Sequence, residues 1–425
     1  MAQFYKPTSK KIVKNQVDCK VFGIDLKAQG VAKVAGQVVF VPQALPDETV
    51  KIQITTLNKV AQGELQKVLI PSVYRVQPSC QHYQYCGGCQ LQHLQSEKQI
   101  QYKQQALENL LNRKNLVPQK WFSPIASNGW RYRGKVRLAL DVRGQIRLGF
   151  RQEETNKIFN LTQCPIMTAP LENLLKPLQK LIAKLDAKSS IGHVEILQHS
   201  QGVGIYLHKQ EQWSGSDWQQ IETWLEQNQV HWLDVEKPLN YLLPKFDLQL
   251  WHKRSNFIQS NMAVNEKMIS QAIEWLELTG SEKVLDLFCG IGNFTLPLAK
   301  FCQHVTGVEG VPEMVEQATA NAKINNIENV KFHHADLSAR LDQQSWWQKV
   351  DAILLDPARA GAEQVVSELT FTKAKKVLYV SCNPATLVRD SEIMAKQGFQ
   401  IAKAAVMDMF PQTHHLEAMF LFIKE

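Results

Sequence analysis

The segment 284–299 limits the possible folds more than any other part of this chain of 425 residues. It contains an apolar run (284–288), a turn with two glycines (289–293) and the start of a helical pattern (294–299). From about residue 260 onward, strand-like and helix-like patterns alternate, as is typical of an α/β domain with a mostly parallel sheet. Loops at the carboxyl ends of such strands line the ligand crevice, so reactive side chains are expected in those loops.

A cysteine lies in one of these loops. Cys382 follows the apolar run 376–380 and precedes Asn383 and Pro384, which end the strand pattern. A structural cysteine more often lies within an apolar run, where it packs as a small hydrophobic side chain. The position of Cys382 therefore favours a nucleophile, and the alternative is a loop cysteine without a chemical role.

Length and composition exclude several classes of protein. A chain of 425 residues exceeds what one hydrophobic core usually covers, so two or three domains are expected. No apolar stretch is long enough to span a bilayer, and the amino terminus lacks the apolar centre of a signal peptide. We therefore expect a cytoplasmic protein without a membrane partner. In that compartment the 8 cysteines are expected as thiols or metal ligands and not as disulfides.

The positive charge is concentrated in the first third of the chain. Residues 1–150 contain 22 Lys and Arg against 8 Asp and Glu, a net charge of +14, whereas the whole chain carries +8, which leaves −6 for residues 151–425. Such a field favours a polyanionic partner, RNA or DNA, through contacts with phosphates. A charged surface that only keeps the protein soluble is the alternative.

Residues 1–73 have the pattern of a small β-barrel. Short apolar stretches such as 38–41 and 50–54 are separated by turn signals that contain glycine or proline. This spacing suggests an OB-like Greek-key barrel, a fold that commonly binds single-stranded nucleic acid. The Gly-Val-Ala sequence at 30–32, followed by 39–48, resembles the TRAM domain. The resemblance implies an RNA-binding barrel, and a purely structural barrel is the alternative.

Three cysteines within ten residues predict a metal centre. Cys80, Cys86 and Cys89 follow a C-x5-C-x2-C spacing, and two glycines let the backbone curl around a centre. Cys164 is the best candidate for a fourth thiolate, because the remaining cysteines lie in the barrel or in the α/β part. Spacing alone leaves an iron–sulfur cluster and a four-cysteine zinc site as alternatives. It differs from the C-x3-C-x2-C of radical S-adenosylmethionine (SAM) enzymes, which argues against radical chemistry.

Two segments lie between the cysteine motif and the α/β part. Residues 93–118 show leucines at helical spacing and end at a proline, which predicts a plain packing helix. Residues 130–137 alternate cations with aromatic or apolar residues. On a strand this alternation places most cations on one face, as in a nucleic-acid platform. The alternative for 130–137 is the solvated face of a half-buried strand.

The glycine turn predicts a nucleoside site. Glu309 lies 19 positions after the first glycine of the turn and ends the next apolar run. In nucleoside-binding folds an acidic side chain at this position accepts hydrogen bonds from the ribose hydroxyls. Sites for NAD share such a turn, but the Asp-x-Phe-x-Gly-x-Gly pattern at 286–292 resembles class I SAM-dependent methyltransferases. The resemblance implies SAM as the cofactor, contacts from Phe288, Asn293 and Glu309, and recognition of the adenine amino group by Asp336.

The Asp-Pro-Ala-Arg-x-Gly sequence at 356–361 helps to identify which kind of atom accepts the methyl group. Methyltransferases of exocyclic amines usually carry Asn/Asp-Pro-Pro-aromatic at this point, so an amine acceptor is disfavoured. Together with Phe-x-Gln-x-Asn at 257–261 and His-x-Glu at 415–417, the sequence resembles the RNA uridine-5-methyltransferases, and the resemblance covers almost the whole chain. It implies that Asp356 lies between the cofactor and a flipped base, and that Gln259 contacts the cofactor and the uracil.

The reaction of that family requires a nucleophile and a separate general base. C5 of uracil is a weak nucleophile, so a thiolate first adds to C6, and the C5 proton must leave after methylation before the thiolate is expelled. The resemblance assigns these roles to Cys382 and Glu417, whereas a surface carboxylate is the alternative for Glu417. The apolar residues next to Glu417 in the sequence would raise the proton affinity of its carboxylate. A general base needs such a raised proton affinity. Cys289 is a rival thiol, but it lies in the cofactor turn.

The resemblance also implies a metal cofactor and an RNA partner. In this family the four cysteines named above hold a [4Fe-4S] cluster that is structural or helps to hold RNA, which favours iron over zinc. A TRAM domain combined with the run 293–299 most resembles the members that modify a specific uridine of 23S rRNA. We expect a monomer that acts on a single-stranded or flipped uridine and not on DNA. The alternatives are another rRNA or tRNA uridine, a non-catalytic iron–sulfur RNA-binding protein and an iron–sulfur electron carrier.

The expected architecture follows from these assignments. We expect a multidomain α/β protein with an amino-terminal OB-like (TRAM) barrel over 1–73. A central α+β domain with the iron–sulfur cluster is expected over 74–92 and 120–256. A class I SAM-dependent, Rossmann-like methyltransferase domain is expected over 257–425, and the helical segment 93–119 is expected to pack on it.

Overall fold

A computed structural model describes residues 11–57, 60–153, 155–209, 211–234 and 238–425, so the first ten residues of the predicted barrel domain lie outside the described part. The chain divides into two compact units. The first is built from Met1–Tyr83, Gly88–Glu108 and Phe410–His415, and the second from Gln84–Gly87, Asn109–Met409 and Leu416–Glu425. None of the described helices is long and apolar enough to cross a membrane.

Five strands close into a barrel in the first unit. They are β1 (Lys11–Ile24), β2 (Gln29–Val34), β3 (Gln37–Pro42), β4 (Thr49–Leu57) and β5 (Val60–Ile70). Neighbours in the order β1-β2-β3-β5-β4 pair antiparallel, except β3 and β5, which run parallel. Side chains that alternate along the strands form an apolar core, which includes Val21, Val39, Val41, Val50 and Ile52. The small β-barrel expected from the sequence is therefore confirmed.

A buried ion pair joins the barrel to the chain that follows β5. Glu48 is fully buried, and its carboxylate accepts hydrogen bonds from the guanidinium of Arg75 at 2.5 and 2.8 Å. The backbone N–H groups of Leu45 and Ser72 donate to the same carboxylate at 2.8 and 3.2 Å. Burial alone would raise the pKa of Glu48, but these donors outweigh it and hold the pKa below its usual value.

Removing this carboxylate is expected to destabilise the barrel. Glu48→Ala leaves Arg75 and two backbone N–H groups without their acceptor, and breaking a buried pair on one side costs about 3 kcal/mol. Amide hydrogen exchange of the intact protein measures the loss as faster exchange throughout β1–β5. Lys51→Ala is the matched control, because its 3.0 Å ion pair with Asp18 is exposed and contributes at most about 1 kcal/mol. Equal exchange rates in the two variants would contradict the expectation.

The two linking segments differ in part from their predictions. The helix expected over 93–118 is observed as α1 (Ser96–Asn112), and Asn115 adopts a left-handed conformation, with φ of 53°, just beyond its end. The strand expected over 130–137 forms only in its last residues. Arg131 has φ of 57°, which is incompatible with an extended strand, so the chain turns at this point and the cations of the segment do not share one strand face.

The second unit contains a five-stranded, mostly antiparallel sheet. After α1 the chain forms β6 (Lys120–Trp121), β7 (Lys135–Asp141), β8 (Arg147–Gly149), α2 (Ala169–Asn173), α3 (Leu175–Lys184), β9 (Ile191–His199), β10 (Gly202–Lys209), α4 (Gly215–Asn228), β11 (Val230–Trp232), β12 (Leu239–Leu243) and β13 (Leu248–His252). Strands β11-β10-β9-β7-β8 form this sheet, in which all neighbours pair antiparallel except β10 and β11, which run parallel. Strands β12 and β13 form a hairpin. Buried residues that alternate along β7 and β9, such as Val136, Leu138, Val194 and Ile196, give the sheet an apolar face. The arrangement is of the α+β type.

The remainder of the second unit alternates helices and strands, as the sequence predicts. The elements are α5 (Met262–Leu276), β14 (Lys283–Leu287), α6 (Thr295–Ala299), β15 (His304–Glu309), α7 (Pro312–Ile324), β16 (Val330–His334), β17 (Ala352–Leu355), α8 (Glu363–Ser367), β18 (Lys376–Ser381), α9 (Pro384–Lys396), β19 (Gln400–Met407) and β20 (Glu417–Ile423). They build an eight-stranded sheet in the order β16-β15-β14-β17-β18-β20-β19-β6. All four residues of β17 and all but the last residue of β20 are buried, as expected for the centre of a covered sheet.

The topology of this sheet brings many loops to one edge. Strands β14 to β18 are parallel neighbours, whereas β20 runs antiparallel between β18 and β19. The chain leaves β14 toward β15 and β16 and then crosses to β17 on the other side. Such a reversal opens a crevice at the carboxyl ends of the strands. Because β20 is antiparallel, its first residue lies at that same edge.

Candidate active site

The predicted nucleophile and base face each other across two paired strands. Cys382 directly follows β18, and Glu417 is the first residue of β20. In the antiparallel register Ser381 lies opposite Ala418, so the next positions outward are Cys382 and Glu417. Residues directly opposite in such a pair have α-carbons about 5 Å apart. Cys382 is half-buried and Glu417 is only 8% exposed, so the pair lies in a sheltered part of the sheet edge.

The surroundings of Cys382 disfavour its thiolate in the protein alone. Burial raises the pKa of the thiol, and the negative charges of Glu417 and Asp356 raise it further. The guanidinium of Arg359 acts in the opposite direction and lowers it. A raised thiol pKa is the opposite of the electropositive setting that activates most reactive cysteines, and of these three charges only that of Arg359 favours the thiolate.

Asp356 lies at the next strand end. It follows β17, and its backbone N–H donates to the carbonyl of Leu287 at the end of β14 at 3.4 Å. Desolvation by the surrounding protein raises the pKa of Asp356 to about 7. A carboxyl group in this state exchanges a proton near neutral pH. The end of β17, with Asp356, lies between the ends of β14 and β18 in the sheet, and the role of Asp356 between cofactor and base stays a prediction.

The glycine turn and Glu309 are joined by hydrogen bonds. The backbone N–H of Gly290 donates to one carboxylate oxygen of Glu309 at 3.0 Å, and that of Val311 donates to the other at 3.1 Å. Phe288 has φ of 63°, an uncommon value for a bulky residue, and this conformation starts the turn. Backbone strain of this kind is concentrated at functional sites. The turn thus fixes the carboxylate of Glu309 at the end of β15, and its contact with a ribose stays a prediction.

Asn293 and Asp336, two further predicted cofactor contacts, differ in their surroundings. The side-chain amide of Asn293 exchanges two hydrogen bonds with Asn265, at 2.9 and 3.0 Å, and its oxygen also accepts from the hydroxyl of Tyr241 at 3.0 Å. This amide therefore binds α5 to the glycine turn. Asp336 is exposed beyond β16, and hydrogen bonds from the Ser338 side chain and backbone lower its pKa. The roles of both residues toward a cofactor remain predictions.

The Phe-x-Gln-x-Asn segment leads into helix α5. Asn261 caps this helix by accepting from the N–H of Val264 at 3.3 Å, and it donates to Ser127 at 3.1 Å. It is only 1% exposed, so it supports the segment from within. Gln259, two residues earlier, is half-buried and lines a groove of the second unit. Its predicted contact with uracil is not tested by these observations.

Two buried acids belong to the site although the sequence analysis did not select them. Asp286 is fully buried and accepts from the hydroxyl of Thr295 at 2.5 Å. Burial, followed by the charges of Asp356 and Glu309, raises the pKa of Asp286 to about 8. The signal for this residue was its place as the acid of the Asp-x-Phe-x-Gly-x-Gly pattern. Burial also raises the pKa of the neighbouring Cys289 thiol well above its usual value, so this rival thiol is a poor nucleophile.

The second missed acid, Asp390 in α9, holds the loop that follows β17. Its carboxylate accepts from the hydroxyl of Tyr379 at 2.6 Å and from the N–H of Ala362 at 2.8 Å. Gly361 has φ of 79°, and a Cβ atom added there would lie 2.6 Å from the same carboxylate. Asn383 also donates to the carbonyl of Arg359 at 2.8 Å. The loop with Asp356 is thus fixed to the helix that begins just after Cys382.

The four cysteines of the predicted metal centre lie in different local settings. The N–H of Cys80 donates to the side chain of Gln92 at 3.2 Å, and Cys86 pairs with Gln152 in a β-bridge. The N–H of Cys164 donates to Glu172 at 2.7 Å. Cys80 and Cys89 belong to the first unit, whereas Cys86 and Cys164 belong to the second. Within the described ranges, no group of three or more His, Cys, Asp or Glu side chains is arranged to hold a metal ion.

Two family models match the chain. The model described as tRNA (Uracil-5-)-methyltransferase matches residues 243–425, and the TRAM domain model matches residues 17–65. The first match covers every strand from β14 to β20, and the second covers most of the barrel. The TRAM domain and the methyltransferase fold expected from the sequence are therefore both present.

Curated relatives match over nearly the full length. Proteins of Shewanella sediminis (strain HAW-EB3) and Shewanella frigidimarina (strain NCIMB 400) are each 42% identical to this chain, and the matches cover 99% of this chain and 99% of each relative. Both are named 23S rRNA (uracil(1939)-C(5))-methyltransferase RlmD. The solved structure of Pyrococcus abyssi tRNA (uracil-54, C5)-methyltransferase in complex with S-adenosyl-L-homocysteine shares the fold, with a TM-score of 0.75 at 21% identity over 96% of this chain and 100% of that chain. The chain belongs to the family of RNA uracil-C5 methyltransferases.

Proposed function

We propose that this protein transfers the methyl group of SAM to C5 of a specific uridine in 23S rRNA, the uridine numbered 1939 in the names of its relatives. The observation that carries the proposal is the register that sets Cys382 opposite Glu417, beside Asp356 and at the same sheet edge as Glu309. This edge combines the thiol of Cys382 with the sheltered carboxylate of Glu417. It also carries Glu309, an acid placed as in nucleoside-binding sites. These are the groups that the reaction needs.

The reaction then uses the chain's own residues in a fixed order. The thiolate of Cys382 forms a bond to C6 of uracil, and the electron pair of the C5–C6 double bond moves toward C5 and the O4 carbonyl. SAM, when bound, supplies the electrophilic methyl group. Glu417 then removes the C5 proton, the double bond forms again, and the bond between sulfur and C6 breaks to release Cys382.

The residues at the sheet edge fit the cofactor. The carboxylate of Glu309, held by two backbone N–H groups, suits the hydroxyls of a ribose, and the left-handed glycine turn permits close approach of the backbone. We assign Asp336 to the adenine amino group, and Phe288 and Asn293 to the walls of the same site. Gln259 contacts both the cofactor and the uracil in this proposal.

The RNA substrate must present its uridine outside a base stack. C5 is inaccessible in a stacked base, so the uridine is flipped or comes from a single-stranded segment. The basic first third of the chain, which includes the TRAM barrel, holds the RNA backbone by phosphate contacts. A cytoplasmic location, a monomeric state and a preference for RNA over DNA remain predictions of the same proposal.

Methyl mapping tests the proposed substrate. The protein is incubated with methyl-labelled SAM and unmodified fragments of 23S rRNA, and the labelled nucleotide is located by nuclease digestion and mass spectrometry. We expect a single 5-methyluridine at the proposed position. Label at another rRNA position, or only in tRNA, would support the alternative of the same chemistry on another uridine. A protein that binds RNA without any transfer would support the non-catalytic alternative.

The raised pKa of the Cys382 thiol predicts a rate that increases with pH. Burial and the charges of Glu417 and Asp356 keep most of the enzyme in the thiol form near neutral pH. Below the thiol pKa the thiolate fraction grows about tenfold per pH unit. The single-turnover rate with saturating RNA and SAM should therefore rise between about pH 6 and about pH 9. The affinity for RNA is measured at each pH as the control, and a flat rate profile would contradict the assignment.

We further propose that Cys80, Cys86, Cys89 and Cys164 bind a [4Fe-4S] cluster. The support is the number and spacing of the thiols, because four thiolates are the usual ligands of such a cluster, and the similarity of the chain to the family. A zinc site is the second candidate for the same thiols. The cluster takes no part in the steps assigned to Cys382 and Glu417.

Metal analysis of anaerobically purified protein separates these candidates. We expect about four iron and four acid-labile sulfide per chain, and a loss of most iron in Cys89→Ser. Cys19→Ser is the control, because Cys19 packs in the barrel core and should leave the iron content unchanged. Stoichiometric zinc, or iron content unaffected by Cys89→Ser, would overturn the cluster assignment.

A further inference from the structure

Two side chains of helix α9 and its cap hold the loop that follows β17. The amide of Asn383, which caps the helix, donates to the carbonyl of Arg359 at 2.8 Å. The guanidinium of Arg389, further along the helix, donates to the carbonyl of Ala360 at 2.9 Å. Asn383 also directly follows Cys382 in the chain. The backbone of Arg359 is therefore joined by one hydrogen bond to the residue next to the proposed nucleophile.

Asp390 is the buried acceptor of the same contact. Its side chain is fully buried, and one carboxylate oxygen accepts from the N–H of Ala362 at 2.8 Å and from the hydroxyl of Tyr379 at 2.6 Å. The other oxygen accepts from the guanidinium of Arg389 at 2.7 and 2.8 Å. In either orientation the nitrogen of an amide would meet a donor, which is the N–H of Ala362 or the guanidinium of Arg389. The position therefore requires a carboxylate.

Gly361 shows how closely the loop and the helix approach each other. It has φ of 79°, and a Cβ atom added there would lie 2.6 Å from the guanidinium of Arg389 and 2.6 Å from the carboxylate of Asp390. It would also lie 2.9 Å from the Cβ atom of Thr386. A glycine is required where the backbone comes this close to another element. Alanine at this position would therefore push the loop away from the helix.

The docked loop carries Arg359, the cation that favours the thiolate of Cys382. Three charged groups act on this thiol, namely Glu417 at the start of β20, Asp356 directly after β17, and Arg359. Both carboxylates disfavour the thiolate, and only the guanidinium opposes them. Asp356 is held at the strand end by the bond from its N–H to the carbonyl of Leu287. A loop that leaves α9 would therefore move the guanidinium and leave the carboxylates in place.

We propose that Asp390 is a positioning residue, which docks the loop 359–362 on α9 and thereby keeps the guanidinium of Arg359 near the thiol of Cys382. The inference rests on the proposed function, because the place of Arg359 matters for the reaction only if Cys382 is the nucleophile. Formation of the reactive thiolate then depends on a buried carboxylate that acts through the backbone of a loop.

Alkylation of Cys382 by iodoacetamide tests the proposal without RNA or SAM. The rate is measured against pH for the full-length protein by mass spectrometry of the peptide that carries Cys382. Asp390→Asn and Gly361→Ala should each lower the rate near neutral pH about threefold, because the thiolate fraction falls when Arg359 moves away. Arg359→Gln should have the same effect. A direct effect of charge predicts the opposite sign for Asp390→Asn, since removal of a negative charge favours a thiolate.

A double variant shows whether the effect passes through Arg359. In the Arg359→Gln background, Gly361→Ala should change the alkylation rate by less than about 1.5-fold, because the displaced group is already absent. Gly280→Ala is the matched control. Gly280 also has a positive φ, of 96°, but no atom lies within 4 Å of an added Cβ, so alkylation of Cys382 should stay unchanged. Thermal unfolding identifies the folded variants, and Arg389→Gln, which loses the bond to Ala360, serves as a further variant of the contact.

The outcomes separate this inference from the proposed function. An unchanged or increased alkylation rate in the folded variants would show that Asp390 only stabilises the fold, and additive effects in the double variant would exclude a route through Arg359. If the wild type methylates the RNA while the variants alkylate normally, the positioning role is wrong and the proposed function stands. If the variants alkylate slowly but the wild type methylates no fragment of 23S rRNA, the proposed function fails and the effect on the thiol stands.

Discussion

Cys382→Ala is expected to abolish methyl transfer while leaving SAM and RNA binding intact. The alanine lacks the atom that bonds to C6, and no other described thiol lies in the loop after β18. The single-turnover rate should fall by at least about 10⁴-fold, the scale of loss for removal of a catalytic nucleophile. The measurement is transfer of labelled methyl to the RNA fragment, with calorimetric binding of SAM as the test of folding.

Cys302→Ala is the matched control for this prediction. Its thiol is buried and donates to the carbonyl of Leu298 at 3.3 Å, and burial raises its pKa to about 11, so the pKa of both thiols is raised by burial. Cys302→Ala removes packing contacts of the sulfur but no atom that takes part in the reaction. At a temperature where the variant is folded, its rate of methyl transfer should therefore stay within about threefold of the wild-type rate. A Cys382→Ala protein with wild-type transfer would disprove the covalent mechanism, and loss of SAM binding would instead indicate a disturbed sheet edge.

Glu417→Gln is expected to trap the enzyme on its RNA. The glutamine has nearly the same shape but cannot accept the C5 proton, so the methylated adduct should persist with its sulfur–C6 bond intact. Loss of the negative charge also removes one cause of the raised pKa of Cys382, so adduct formation should begin at lower pH than in the wild type. Turnover should decrease by about 10² to 10⁴-fold.

Denaturing gel electrophoresis detects the trapped species as protein that migrates with labelled RNA. The double variant Cys382→Ala with Glu417→Gln should show no such band, which ties the adduct to this sulfur. Glu313→Gln, an exposed change at the start of α7, is the control and should turn over normally without a stable adduct. Rapid turnover by Glu417→Gln would assign the proton transfer to another group, such as Asp356, whose charge also acts on Cys382.

Local sequence patterns were enough to predict where the strands and turns that carry the candidate residues begin or end. An apolar run that ends at Cys382, and another that begins at Glu417, each define one end of a strand. A glycine turn followed by Glu309 defines a crossover between parallel strands. These signals lie within about twenty residues of the group they position, so a single sequence contains them.

Contacts between distant segments were not predictable in the same way. The amide pair of Asn293 and Asn265 joins a turn to a helix 28 positions earlier, and Asp390 contacts the N–H of Ala362 28 positions before it. Asn293 was selected only as a possible cofactor contact, and nothing in the sequence marks Asn265 as its partner. The left-handed conformation of Arg131 was also missed, because the contacts that accompany it, such as the hydrogen bond from its N–H to the carbonyl of Pro165, join segments more than 30 residues apart.

The pairing of β18 with β20 sets a rule for how this chain tolerates insertions and deletions. A shift of one residue in either strand moves every following side chain to the opposite face of the sheet. Such a shift would separate Cys382 from Glu417 even though both residues were still present. The segment 408–416 that connects β19 to β20 is mostly buried, and Gln412 within it is joined to Gln99 by two hydrogen bonds of 2.9 Å, so changes of length there would break packed contacts. Functional variants of this sequence are therefore expected to keep the lengths of β18, β20 and the segment 408–416 unchanged.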